Sequence, residues 1–177
     1  MSRAHQVWSV PLRLDDVPET GRRFDLWADE PARAAIARVA GLPGIERLKA
    51  GFDVARYGSD GLRVAGDVSA TVRQTCVVTL EPMTNEISES VDLLFAAQAR
   101  RSGLDGDFDA ARHDPPEPLV NGTVDLAAIA VEFLMLGIDP YPRKPDAAFQ
   151  ATADEDGGAR PFAALATLKK SPGRTGG

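Results

Sequence analysis

Three stretches of the chain alternate apolar and polar side chains with a period of two. In residues 48–56, Leu48, Ala50, Phe52 and Val54 share one face, with Lys49 and Asp53 on the other. Residues 62–73 set Leu62, Val64, Val68, Ala70 and Val72 against Arg63, Asp67, Ser69, Thr71 and Arg73. Residues 87–95 set Ile87, Val91, Leu93 and Phe95 against Ser88, Ser90, Asp92 and Leu94, and only Glu89 interrupts the apolar face. Successive side chains of a strand point to opposite faces, so each pattern predicts a strand with one face buried and one wet. Turn-rich segments separate them, "YGSDG" at 57–61 and "EPMTN" at 81–85, short enough to join antiparallel neighbours. An antiparallel meander is expected.

Two further stretches have helical spacing. Residues 29–42 begin acidic, carry Pro31 in the first turn, place Ala34, Ala35, Ile36 and Val39 together and stop at Gly41, a proper start and end for a helix. Residues 123–138 offer Thr123 or Asp125 as N-cap, repeat Leu126, Ile129, Ala130, Phe133, Leu134 and Gly137 at steps of three and four, and are halted by Pro140 and Pro142. Residues 7–14 and 24–29 are expected strands, the first at an edge because Pro11 lacks an N–H. The fold class is therefore α+β: an antiparallel meander or partly closed sheet with two main helices packed on it. One domain is expected over 1–149, interrupted by a polar, acidic loop at 97–118. A largely flexible tail follows at 150–177, in which Phe162, Leu165 and Leu168 give 160–170 the spacing of a docking helix.

Charge sharpens this division. The net charge of −6 splits into +1 over residues 1–73, −11 over 74–159 and +4 over 160–177. No apolar run approaches the roughly 18 residues of a spanning helix, and the N-terminal residues lack the apolar run of a secretory signal. With a single cysteine, Cys76, no intramolecular disulfide is possible. A reduced cytoplasmic protein is expected.

Cys76, in "RQTCVVTLEPM" at 73–83, has three readings: nucleophile, metal ligand, or small buried side chain. A nucleophile needs a base, for which His5 and His113 are the candidates; no cysteine-protease signature surrounds it. A structural zinc site needs four ligands at paired spacing, and three residues on stands Thr79, a poor zinc ligand. A buried, inert thiol is the expectation. "DGDFDAARHD" at 105–114 has the acidic look of a calcium loop, but Ala110 and Pro116 occupy the positions that need Gly and Glu. "AGLPGIE" at 40–46 is a helix stop and a turn rather than a phosphate cradle. No enzymatic site and no cofactor are expected. Candidate partner or RNA contacts are Arg63 and Arg73 on the outer strand face, Arg143 and Lys144 beside Tyr141, and Lys169 and Lys170 in the tail; ordinary solvated surface is the alternative for each.

The ordered set "GDVSATVRQTCVVTLEPMTNEISESVDLLF" (66–95), "VDLAAIAVEFLMLGIDPYPRKP" (124–145) and "RPFAALATLKK" (160–170) resembles the YceD family. Its members are called large ribosomal RNA subunit accumulation proteins, and the likeness is closest to the alphaproteobacterial branch. The family pattern commonly has C-x-x-C at the bend; the first cysteine matches Cys76 and the second is replaced by Thr79. A redox or metal role of two-cysteine relatives therefore does not carry over, and Cys76, Thr79, Leu80, Glu81 and Pro82 become a structural corner that marks the family. The resemblance implies a non-enzymatic role in large-subunit RNA accumulation, with a ribosomal protein, ribosomal RNA or an RNA-processing factor as partner, and neither DNA nor membrane. The acidic body argues against tight general RNA binding and favours a basic protein partner met by residues 97–118. A generic interaction module unrelated to the ribosome and a Cys76-dependent hydrolase are the other two readings.

Overall fold

The computed structural model describes residues 8–96 and 116–148. The chain divides into two units, Met1–Ala147 and Ala148–Gly177, and all the strands and helices among the described residues belong to the first. The acidic residues 97–115, both histidines, the 160–170 segment, Lys169 and Lys170 lie outside the described residues.

The three alternating stretches are antiparallel neighbours: β3 (Gly44–Tyr57), β4 (Gly61–Thr75) and β5 (Pro82–Ala96). They run 14, 15 and 15 residues, against a usual length of about 5–6. With β2 (Arg22–Trp27) at one edge and the parallel β6 (Glu117–Pro118) at the other, they form a five-stranded sheet of order β2-β3-β4-β5-β6. The expected acidic loop is thus ordered at its end, where β6 pairs with Phe95 and Ala96. The turn after β3 lies where the sequence puts it, at 58–60. The next does not: β4 continues to Thr75, the bend occupies 76–81, and Pro82 and Asn85 are already strand. Pro82 is tolerated as the first residue of a strand, and the Asn85 amide donates across the pair to Gln74 Oε1 at 2.6 Å.

Helix α1 (Glu30–Ala40) starts on Asp29, whose carboxylate accepts from Ala32 N at 2.9 Å, and ends on Gly41 with φ +67. Only glycine takes that left-handed conformation without cost. Helix α2 (Leu126–Gly137) begins later than its periodicity suggests, because Thr123–Asp125 form a strand, β7, paired with β1 (Pro11–Arg13) in a separate two-stranded sheet. Asp125, not Thr123, is the cap. Its Oδ1 accepts from Ala127 N at 3.0 Å, Ala128 N at 3.3 Å and Val10 N at 2.9 Å, while Oδ2 accepts from the Ser9 hydroxyl at 2.6 Å. One side chain thus closes the helix start and fastens the N-terminal strand to it. Asp125→Ala is expected to cost about 2 kcal/mol, the upper end for an N-cap, because donors of both segments lose their acceptor; denaturant unfolding measures it.

The core lies between the sheet and its cover. α1 packs on β3, and α2 packs on β4 and β5. Phe52, Leu62, Val64, Val68, Val72, Ile36, Leu126 and Leu134 are fully buried there, and Leu12 and Val124 of the small sheet join the same cluster. α2 approaches β5 closely at Gly137, where an added methyl would meet the side chains of Ile87 and Glu89. Glu89, the polar interruption in the β5 pattern, therefore sits at a helix contact. On the opposite sheet face charges pair across strands: Arg23 with Asp53 at 2.9 Å, Arg47 with Glu86 at 2.8 Å, Arg63 with Asp92 at 2.7 Å. Such exposed pairs stabilise by about 0–1 kcal/mol each; their greater consequence is that the face is electrically balanced.

Candidate functional site

The bend between β4 and β5 is held by its cysteine. Cys76 N donates to Glu81 O and Leu80 N to Cys76 O, both at 2.9 Å, closing a tight turn. Thr79 N then points back at the Cys76 sulfur, 3.5 Å away. A second segment, residues 139–147, wraps this turn. Val77 N donates to Pro142 O at 2.9 Å, Lys144 N approaches the sulfur at 3.5 Å, and the Lys144 ammonium reaches Glu81 at 2.7 Å. Gln74, buried just before the bend, donates from Nε2 to Asp139 O at 2.8 Å. Two stretches about 65 residues apart are thereby locked together around one thiol.

Cys76 is buried, as expected, yet it is not part of the apolar core cluster. Its neighbours are hydrogen-bond donors. The Thr79 side chain, the Lys144 and Thr79 amides and, more weakly, the Val78 amide favour the thiolate and outweigh desolvation, lowering the thiol from an ordinary value of 9.0 to about 6. The amides are committed to sulfur, whereas the Thr79 hydroxyl also lies 3.3 Å from Glu81 and has one proton to give. Glu81 is itself held below the usual carboxylate range, first by its hydrogen bond and charge pairing with Lys144. The corner is therefore polar and charge-coupled rather than a simple packing joint. The unfolded chain keeps the thiol proton up to about pH 9.0, whereas the folded thiol releases it near 6. Stability should therefore rise with pH across that window and be lost as pH falls through the folded value. Cys76→Ser removes the titration, and wild-type unfolding midpoints are expected to climb relative to the variant between these pH values; parallel profiles would refute the assignment.

Outside the turn the corner is apolar. Leu80 adopts φ +58, a left-handed conformation that is uncommon for a leucine, and is 76% exposed. Val77 and Tyr141, one in each of the two locked segments, are exposed as well, and Arg143, two residues after Tyr141, is exposed too. Backbone strain of this kind costs roughly 1–3 kcal/mol and persists only where surrounding bonds impose it; here the hydrogen bonds of the turn do so.

The basic residues singled out from sequence are not brought together. Arg63 is engaged in a bidentate pair with Asp92, at 2.8 and 2.7 Å. Lys144 is spent on Glu81. Arg73 lies three residues before Cys76 at the end of β4, near Pro43, and Arg143 stands exposed at the corner. Sequence reasoning missed Gln74, whose only signal is a polar residue at an inward strand position, and Asp139, whose part is a backbone carbonyl just after α2 and carries no sequence signal. Trp27 is 66% exposed on the edge strand, with the Lys49 ammonium 5.9 Å from its ring centre, whereas Trp8 packs against the core. Among the described residues, no three His, Cys, Asp or Glu side chains are grouped to hold a metal, and no helix is long and apolar enough to cross a membrane.

Both halves of the corner, with β5, α2 and most of β4, fall within one family match. The family model described as large ribosomal RNA subunit accumulation protein YceD matches residues 64–169. Neither the curated proteins nor the solved structures yielded a match. The match spans most of β4, the Cys76 turn, β5 and α2 with its trailing segment, more than half of the sequence, and the chain belongs to the YceD family.

Proposed function

We propose that this protein is a non-enzymatic factor that supports accumulation of large-subunit ribosomal RNA by binding a ribosomal or RNA-processing partner at the Cys76 corner. The process follows from the family's name. The place rests on one observation: a leucine held in a left-handed conformation and three-quarters exposed, where asparagine or glycine would relieve the backbone. An exposed apolar side chain kept at such a position is suited to contact with another protein. The charge-balanced sheet face supports the same reading, because a broad phosphate-binding surface needs many uncommitted cations on one face.

Affinity capture of the tagged full chain is expected to retain a large-subunit ribosomal protein or an enzyme that processes its RNA. Leu80→Asn should lose that component while unfolding no more easily than wild type, since asparagine tolerates the left-handed region. A stable complex containing no ribosomal component would contradict the reading and favour an interaction module unrelated to the ribosome.

A further inference from the structure

A cleft of about 630 Å³ opens between α1 and the start of β3. Arg33 and Arg38 enter it from the helix, Arg73 from β4, and Glu30 and Glu46 complete its charged lining. Elsewhere on the sheet Arg23, Arg47 and Arg63 each hold a carboxylate, but none of the three cleft arginines has an ion pair among the described residues. Their guanidiniums have unused donors. Arg33 spends Nη1 on Ala28 O at 2.7 Å, while its Nε is shut off from solvent without an acceptor. Arg73 has only a long contact to Pro43 O, 3.5 Å. A buried donor without a partner in a native fold calls for a water or an ion.

The backbone is shaped to hold these groups. Gly44 lies opposite Arg73 in the strand register, and a methyl group there would overlap the Arg73 guanidinium, so the arginine lies against bare backbone. The register slips between Ile45 and Arg47, leaving Glu46 as an extra residue on β3; such bulges re-aim side chains. Three positive and two negative groups leave one positive charge, which one phosphodiester would balance. Guanidinium forks match phosphate oxygens in pairs.

We propose that this cleft is a binding site for one backbone phosphate of RNA. This rests on the reading of the protein as a large-subunit RNA factor and supplies it with a point of direct RNA contact separate from the Cys76 corner. The test is binding of the full chain to a fluorescently labelled oligouridylate, followed by anisotropy over a range of salt concentrations. Arg38 and Arg73 are exposed, so Arg38→Gln/Arg73→Gln should leave the fold intact. That variant should bind about tenfold more weakly, with a salt slope shallower by about 0.7, the value for one single-strand phosphate contact. Gly44→Ala, which displaces Arg73, should weaken binding in the same direction. Arg23→Gln/Arg47→Gln, which removes as much charge from the paired face, should stay within about twofold of wild type. Undetectable binding by the wild type, equal binding by wild type and the cleft variant, or an equal loss in both double variants would overturn the proposal. So would displacement of the RNA by a polyglutamate peptide at lower concentration than by unlabelled RNA, which would assign the cleft to an acidic protein segment. The ribosomal RNA ratio in cells lacking the protein tests the functional reading independently. A changed ratio with unaffected RNA binding by the cleft variant rejects the cleft alone.

Discussion

Phe52→Ala is expected to destabilise the domain by about 3–5 kcal/mol, the range for removing a large buried aromatic side chain. Phe52 has no exposed surface and lies on the middle of β3, with Phe24 opposite it on β2 and Gly66 opposite it on β4. β3 is held on both sides by β2 and β4 in continuous register around Phe52, so the site cannot collapse around the void, which places the expected loss toward the upper end. Against a net stability of about 5–15 kcal/mol for a typical domain, much of the margin goes. Equilibrium denaturation would show an earlier midpoint with an unchanged slope; a loss below about 1 kcal/mol would mean that the described core is not the one that holds the fold.

The residue opposite Phe52 carries the second large effect. A methyl group added at Gly66 would lie 2.9 Å from the Gly51 carbonyl carbon and 3.0 Å from Phe52 Cα, and it would overlap the Gly51 oxygen. All three atoms are backbone of β3, so relief requires moving a central strand rather than turning a side chain. Gly66→Ala should therefore cost about 3 kcal/mol, at the top of the usual overpacking range, and lower the thermal midpoint by roughly 10 °C. The two changes touch the same cross-strand pair and should not add. Near-neutral behaviour of Gly66→Ala would show that the strands are not as close there as described.

Much of this architecture is legible in the sequence because it is periodic. Alternation locates β3, β4 and β5, and proline, acidic and glycine signals locate α1 to within a residue or two. What escapes is structure held by distant partners. β7 is three residues long and reads as the first turn of α2; only its pairing with β1, more than a hundred residues earlier, makes it a strand. The sequence misplaces the bend because its left-handed residue is Leu80 rather than glycine or asparagine, while Pro82 and Asn85, which look like turn residues, serve inside β5. The lone thiol is buried, as its residue type suggests, but its donors include an amide 68 residues away, so its polar character has no local signal. Arg73 stands out as a strand-face cation, whereas Arg33 and Arg38 look like ordinary helix surface, and nothing local to any of them marks the cleft they share. Family membership is legible from ordered motifs, and the match over residues 64–169 bears it out.

The proposed role is tested most directly by the ratio of large- to small-subunit ribosomal RNA in cells from which this protein has been removed. A fall in that ratio is expected, restored by the wild-type chain and not by Leu80→Asn. An unchanged ratio with a normal subunit profile would contradict the role.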